Sequence, residues 1–295
     1  MPVKLFIAFL LYFSLSLFVY ASAADIKTIH VKDNLYVLIS PHGGNVTVSV
    51  GEDGTFLIDD QLADRSEIIQ AAAKEINKQD IKFILNTHYH FDHSGNNEFF
   101  GEKNAIIVAH DNVRQRLSTR QFITYFKREM LPMAKVGLPT VTFADNMTLH
   151  YNNDDIRFIH TPAAHTDGDV VAHFTQSNVI VGGDLLFNGF YPFIDTEHGG
   201  SIKGLIAGVD VMLNIAQADT IIIPGHGGIM NKIELQAYRY MLATITAKIE
   251  ALINAGKTLE QVISEQPTAE FDEKLGGGLI SPDTFVSVIY NNLTM

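Results

Sequence analysis

Short apolar runs and stretches of helical periodicity alternate along the chain. Residues 34 to 60 read as a meander: "NLYVLIS", "NVTVSV" and "TFLIDD" are β-rich, and the intervening "PHGG" and "GEDG" are turn chemistry. Ser66 to Lys78, "SEIIQAAAKEINK", has helical spacing behind a serine suited to an N-cap. Ile81 to Thr87, "IKFILNT", reads as a mainly apolar run, as expected of a buried strand. "AIIVA" at 105–109 predicts the next strand and "HDNVRQRLS" a helix after it. Further strands are predicted at 155–161, 170–175, 178–184 and 220–226, with helices near 200–217, 231–254, 258–265 and 282–290. This interleaving indicates layered α/β packing. Phe122 to Thr140 mixes aromatics, Met and Pro without a clear period after Met130, and reads either as a packed excursion or as a loop flanking a site.

The first 23 residues stand apart from this pattern. Lys4 precedes a 16-residue apolar stretch, Leu5 to Tyr20, and "ASA" at 21–23 fits a small-residue cleavage site. That is the layout of a secretory signal, too short for an ordinary spanning helix. The expected product is one domain over 24–295, secreted or periplasmic, with no membrane attachment after cleavage. Losing Lys4 takes the formal charge from -12 to -13. An acidic chain without a Lys/Arg-rich run argues against a nucleic-acid partner and leaves a small-molecule substrate. The chain has no cysteine, which excludes thiolate ligands and a cysteine nucleophile.

The chemistry concentrates in "NTHYHFDHSGNN", residues 86–97, directly after a predicted strand. It offers His88, His90, Asp92 and His93. Three later segments each put one candidate ligand at a strand end: His165 in "HTPAAHTDGD", Asp184 in "VIVGGDLLFNG" and His226 in "TIIIPGHGG". Strand carboxyl ends are where loops converge in layered α/β folds. Imidazole and carboxylate donors suit zinc, and iron or manganese as well. Seven donors are too many for one tetrahedral ion and suit two ions with a shared carboxylate.

"HYHFDH", followed in order by "HTDGD", "GGDLLF" and "PGHG", resembles the metallo-β-lactamase fold superfamily over nearly all of the chain beyond the export segment. It is most similar to an exported branch akin to the quinoprotein-relay metallo-hydrolases. The resemblance implies a four-layer αβ/βα sandwich: two mixed sheets with helices on the outer faces and the metals at one edge. It implies that His88, His90 and His165 hold one zinc ion, that Asp92, His93 and His226 hold a second, and that Asp184 bridges them. The implied reaction is hydrolysis of an ester, thioester, lactone or amide bond by a metal-bound hydroxide, with Asp92 orienting it or taking its proton. In the cysteine-ligand β-lactamases a lysine three residues past the cysteine binds the substrate carboxylate; the matching position here is Phe187, which argues against a β-lactam. Alternatives of the same fold are a mononuclear iron sulfur dioxygenase and a metal-dependent phosphodiesterase.

The remaining histidines have plainer expected roles. His30, His42, His150 and His198 are expected at the surface. His110 is expected to cap a helix or support the site, His173 to be a satisfied core residue, and His160 to lie just outside the ligands. Asp59 or Asp60 is expected to hold a ligand histidine, and Asp169 to hold His165 or cap a turn. Asn188, Tyr191 and Phe193 are candidates for lining a pocket or filling space under a loop.

Overall fold

The structure is a computed structural model that describes residues 26–295; the expected export segment lies outside them. Among the described residues no helix is long and apolar enough to cross a membrane.

The chain builds two mixed sheets. In the first, β1 (Lys27–Lys32), β2 (Leu35–Ile39), β3 (Val46–Gly51) and β4 (Gly54–Ile58) run antiparallel. The sheet then continues in parallel through β5 (Ile81–Leu85) and β6 (Ile106–His110). After a separate hairpin of β7 (Gln121–Ile123) and β8 (Arg128–Met130), β9 (Val141–Phe143) closes its far edge. In the second sheet β10 (Asn146–Tyr151), β11 (Asp154–His160), β12 (Val170–Phe174) and β13 (Val179–Phe187) are antiparallel. There β14 (Ile221–His226) joins β13 in parallel, and the short β15 (Met230–Asn231) pairs with β14.

Strand side chains alternate between faces, so each strand contributes to two layers. Phe56 and Ile58 of β4 meet Phe158 of β11 and Val179 and Val181 of β13 between the sheets, while Leu57 and Ile180 point the other way. Leu57 packs under α1 (Ser66–Ile76), which contributes Ile69 and Ala73. Ile180 packs under α4 (Ile202–Ile215) and α5 (Lys232–Asn254), through Leu205, Val209, Leu242 and Ile245. The outcome is helix, sheet, sheet, helix, as the resemblance implied. Burying a side chain of Leu, Ile or Phe size contributes about 1.5–3 kcal/mol, which makes these three apolar layers the main support of the sandwich.

The shorter elements are α2 (Asn97–Gly101), α3 (Asp111–Leu117), α6 (Leu259–Ser264), α7 (Ala269–Leu275) and α8 (Pro282–Thr294). Asn231 and Glu234 form a reciprocal capping box at the start of α5. Ser66 does not cap α1 as expected: a 3-10 turn at Ala63–Arg65 leads into the helix, Arg65 takes the cap position, and Ser66 is the first helical residue. His173 is half-buried in β12 and its inward Nδ1 has no hydrogen-bond partner, so it is not the satisfied core residue expected.

Candidate metal centre

The two sheets each bring one side of the site. On the first, the chain leaves β5 at Leu85 and winds back on itself. His93 N and Ser94 N donate to His90 O at 3.0 Å each, and Asn86 Nδ2 donates to His93 O at 3.2 Å. That tight turn presents His88, His90, Asp92 and His93 together. On the second sheet His165 follows β11 and His226 ends β14. Asp184 lies inside β13 rather than at its end, because the register shifts around Gly183, which takes a left-handed φ of 52°. The kink turns Asp184 into the gap between the sheets. Gly225 of β14 passes so close to Asp184 that a Cβ there would collide with its Oδ1. Asn45 ties the sheets beside the site, donating from N to Gly225 O at 2.7 Å and from Nδ2 to Pro224 O at 3.0 Å.

All seven residues named from the sequence come together, in two clusters that could each hold a metal ion: His88, His90, His165 and Asp184, and Asp92, His93 and His226. In the first, His90 Nδ1 stands 3.1 Å from His88 Nε2 and 2.9 Å from His165 Nε2. In the second, His93 Nε2 is 3.3 Å from His226 Nε2, which is 3.4 Å from Asp92 Oδ2. Asp184 reaches into both. Its Oδ2 lies 3.7 Å from His88 Nε2 and 3.5 Å from His165 Nε2, and its Oδ1 3.1 Å from His93 Nε2 and 3.3 Å from His226 Nε2.

The opposite ring nitrogens are tied to protein acceptors. His90 Nε2–H donates to Asp195 Oδ2 at 2.9 Å, His165 Nδ1–H to Phe193 O at 2.8 Å, and His93 Nδ1–H to Asp59 Oδ2 at 2.7 Å. His88 Nδ1–H faces Thr87 Oγ1 at 3.1 Å, whose own hydroxyl donates to Asp59 Oδ2 at 2.8 Å. In the first cluster these bonds select tautomers in which the lone pairs of His88 Nε2, His90 Nδ1 and His165 Nε2 converge inward. Buried lone pairs held about 3 Å apart repel unless a cation sits between them, so the donor set fits metal ions.

Charge follows the same division. Burial, then the neighbouring His93, hold His88 well below the usual imidazole range, and burial brings His165 down to about 4. Burial acts in the same direction on His93 and His226, but Asp184 and Asp92 outweigh it and raise both. Burial would raise Asp184, yet His226, His93 and His88 hold it well below the usual carboxylate range.

Asp59 performs the expected support, turned toward Thr87 and His93 by a left-handed φ of 61° at the end of β4. Asp60 instead accepts from Asn96 N at 2.9 Å. Asp169 caps the turn after His165, accepting from Thr166 N and Oγ1 at 2.7 Å each. His110 caps α3, accepting from Asn112 N, and stacks on His160 at 3.6 Å between ring centroids. His30, His42 and His150 are exposed, as expected. His198 is not at the surface: it is buried against Asp195, 2.8 Å from its carboxylate. Asp195 was missed from the sequence. It is buried and accepts from Tyr89 Oη at 2.6 Å, His90 and His198 together. No local signal marks it, 105 residues from His90.

The clusters open into a cavity of about 480 Å³. Asp92, with 15 % of its side chain exposed, and His226 face it, and Tyr191 and Phe193 line it as anticipated. Asn188 is not among the lining residues; its amide donates to Gly228 O at 2.9 Å. Phe126 of the β7–β8 hairpin also lines the cavity, so the segment after Phe122 flanks the site.

The fold has many solved relatives. A metallo-beta-lactamase from Pontibacter korlensis superposes with a TM-score of 0.61 at 18 % identity, over 74 % of this chain and 99 % of its own. The DIM-1 metallo-beta-lactamase gives 0.59 at 19 % identity, over 75 % of this chain and 98 % of its own. The stereoselective inverting sec-alkylsulfatase Pisa1 from Pseudomonas sp. gives 0.65 at 17 % identity, over 90 % of this chain but half of its own length. At such identities these likenesses establish the fold alone. The family model described as the metallo-beta-lactamase superfamily matches residues 39–226, which runs from the end of β2 to the last ligand candidate, His226. The chain belongs to the metallo-beta-lactamase superfamily.

Proposed function

We propose that the chain is an exported dinuclear zinc hydrolase that cleaves an ester, thioester, lactone or amide bond in a small molecule. The observation that carries this reading is Asp184, which turns one buried carboxylate oxygen toward each cluster. A shared carboxylate between two histidine-rich clusters favours a pair of ions over a single iron. Divalent ions supply Lewis-acid chemistry when bound there: they polarise a carbonyl oxygen and make water acidic enough to attack at neutral pH.

The chain's own residues do the rest. His88, His90 and His165 would hold one ion and Asp92, His93 and His226 the other, with Asp184 within reach of both. Asp92 faces the cavity, where it orients the attacking water and accepts its proton. Asp195, Asp59 and the Phe193 carbonyl fix the imidazoles so that no reorientation is needed as charge develops. Export rests on the pattern of residues 1–23 alone.

Metal quantitation on the purified protein, with a panel of thioester, lactone, ester, β-lactam and phosphodiester substrates, tests this reading. An alkyl sulfate joins the panel because of the likeness to an alkylsulfatase. Two zinc ions per chain are expected, and one iron with oxygen uptake would refute the assignment. The double variant His88→Ala/His90→Ala loses both metal and turnover; unchanged turnover refutes the scheme.

A further inference from the structure

We infer that the cavity beside the clusters receives an uncharged apolar group of the substrate, an alkyl chain or an aryl ring, and selects against substrates carrying a carboxylate there. This rests on the hydrolase reading above and names its substrate class.

The cavity is walled by aromatic rings that support one another. Phe187 lies flat on His226, with 5.0 Å between centroids and 13° between planes. Phe190 meets Phe187 at 5.8 Å, and Phe126 meets Phe193 edge-on at 5.1 Å. Phe91 meets Phe126 at 5.8 Å. Such interlocked rings form a wall that is in place before a ligand arrives. The roof joins two separate parts of the chain: Tyr125 Oη donates to Leu279 O at 2.8 Å, which latches the β7–β8 hairpin to the loop before α8. Leu279, 66 % exposed, extends the apolar surface outward from the mouth.

Polar partners for a ligand are scarce. The one lining tyrosine, Tyr191, stacks on Phe285 and gives its hydroxyl to Asp272 at 2.7 Å. No lysine or arginine is among the lining residues. Arg128 is near, but its guanidinium lies over the Phe91 ring, 3.8 Å from the centroid, and it is not part of the lining. A carboxylate seated away from the clusters would lose its water without gaining a cation, a cost that selects against it. A cationic group would face two divalent ions at the floor. A neutral apolar group meets neither penalty, and each methylene it buries favours it about fourfold.

The test compares p-nitrophenyl acetate, octanoate and hemisuccinate on the zinc-loaded protein. The expected kcat/KM for octanoate exceeds that for acetate by at least about tenfold, with hemisuccinate the poorest. Phe126→Ala and Phe190→Ala narrow the octanoate-to-acetate ratio, and Leu279→Lys raises the hemisuccinate-to-acetate ratio. Octanoate no better than acetate, or hemisuccinate preferred, overturns the inference and leaves the hydrolase standing. If no ester is cleaved, hydrolysis of esters fails separately, and binding of the neutral fluorophore N-phenylnaphthylamine decides. One molecule bound per chain, weakened about tenfold or more in Phe126→Ala/Phe190→Ala, supports the apolar chamber. No binding, or affinity unchanged in that variant, overturns it.

Discussion

Replacing Asp195 with asparagine keeps the shape of a buried side chain and removes its charge and half of its accepting capacity. The carboxylate now serves three donors: Tyr89 Oη at 2.6 Å, His90 Nε2 at 2.9 Å and His198 Nδ1 at 2.8 Å. An asparagine with its one oxygen in the place of Oδ2 keeps an acceptor within reach of Tyr89 and His90 but turns an NH2 toward His198 Nδ1, 2.8 Å from the present Oδ1, so two donors face each other there, at a cost of about 1–3 kcal/mol to the fold. A neutral amide oxygen holds His90 less strongly than a carboxylate does, so its Nδ1 is aimed less firmly at His88 and His165. Loss of such an orienting partner weakens metal binding by about 10–100-fold, or about 1.4–2.7 kcal/mol. The effect falls on one ion only, because the other relies on His93, which is held by Asp59. Competition against a chelator of known affinity resolves the two binding steps, and circular dichroism checks the fold. One step weakened by at least about tenfold, with the other within about twofold, is the expected outcome. Tyr89→Phe removes one donor and spares the bond to His90, so it weakens metal binding less. If Asp195→Asn folds and both steps keep their wild-type affinity, orientation of His90 by Asp195 is refuted.

Other outcomes follow from the same geometry. Gly225→Ala forces a methyl group into Asp184 Oδ1 and is expected to lower zinc stoichiometry in a folded protein, read by metal analysis. Phe158→Ala, fully buried between the sheets against Phe56, is expected to cost about 3–5 kcal/mol in denaturant unfolding; a loss below about 1 kcal/mol would contradict the inter-sheet layer described. His93 and His226 have raised pKa values in the metal-free protein, where burial is outweighed by Asp184 and Asp92, so they hold protons below those values. Zinc uptake at neutral pH therefore expels protons, and the number expelled falls as pH climbs through the raised values. Calorimetry in buffers of different ionisation enthalpy measures this, and zinc binding with no proton release at neutral pH would contradict it.

The ligand candidates were readable because their signals are local. Four donors sit within six positions of one loop, and the other three occur where apolar runs give way to glycine or polar residues. The sandwich was readable for a related reason: short β-rich runs bounded by turn residues, interleaved with helical periodicity, are local patterns, and the runs at 34–60 and 81–87 contain β2, β3, β4 and β5. What escaped depends on contacts between distant segments. Asp195 acquires its role only when the chain after β13 folds back onto the His88 loop, and His198 is buried by that same contact. The Asp184 strand was expected to stop at 184, whereas pairing with β14 carries it on to Phe187 around the Gly183 kink. Edge strands β1 and β10 have mixed exposure along their length and gave too weak a period to be predicted. Ser66 looked like a helix cap, but the 3-10 turn before α1 had already turned the chain.

The division of donors between the two sheets has a mechanical consequence. His88, His90, Asp92 and His93 ride on one half of the sandwich, and His165, Asp184 and His226 on the other, so each ion would be a rivet through both. Slippage of one half against the other would open the coordination before it disturbed the interior of either. Metal occupancy should therefore report on how firmly the halves are clamped, and loss of metal should loosen this edge first.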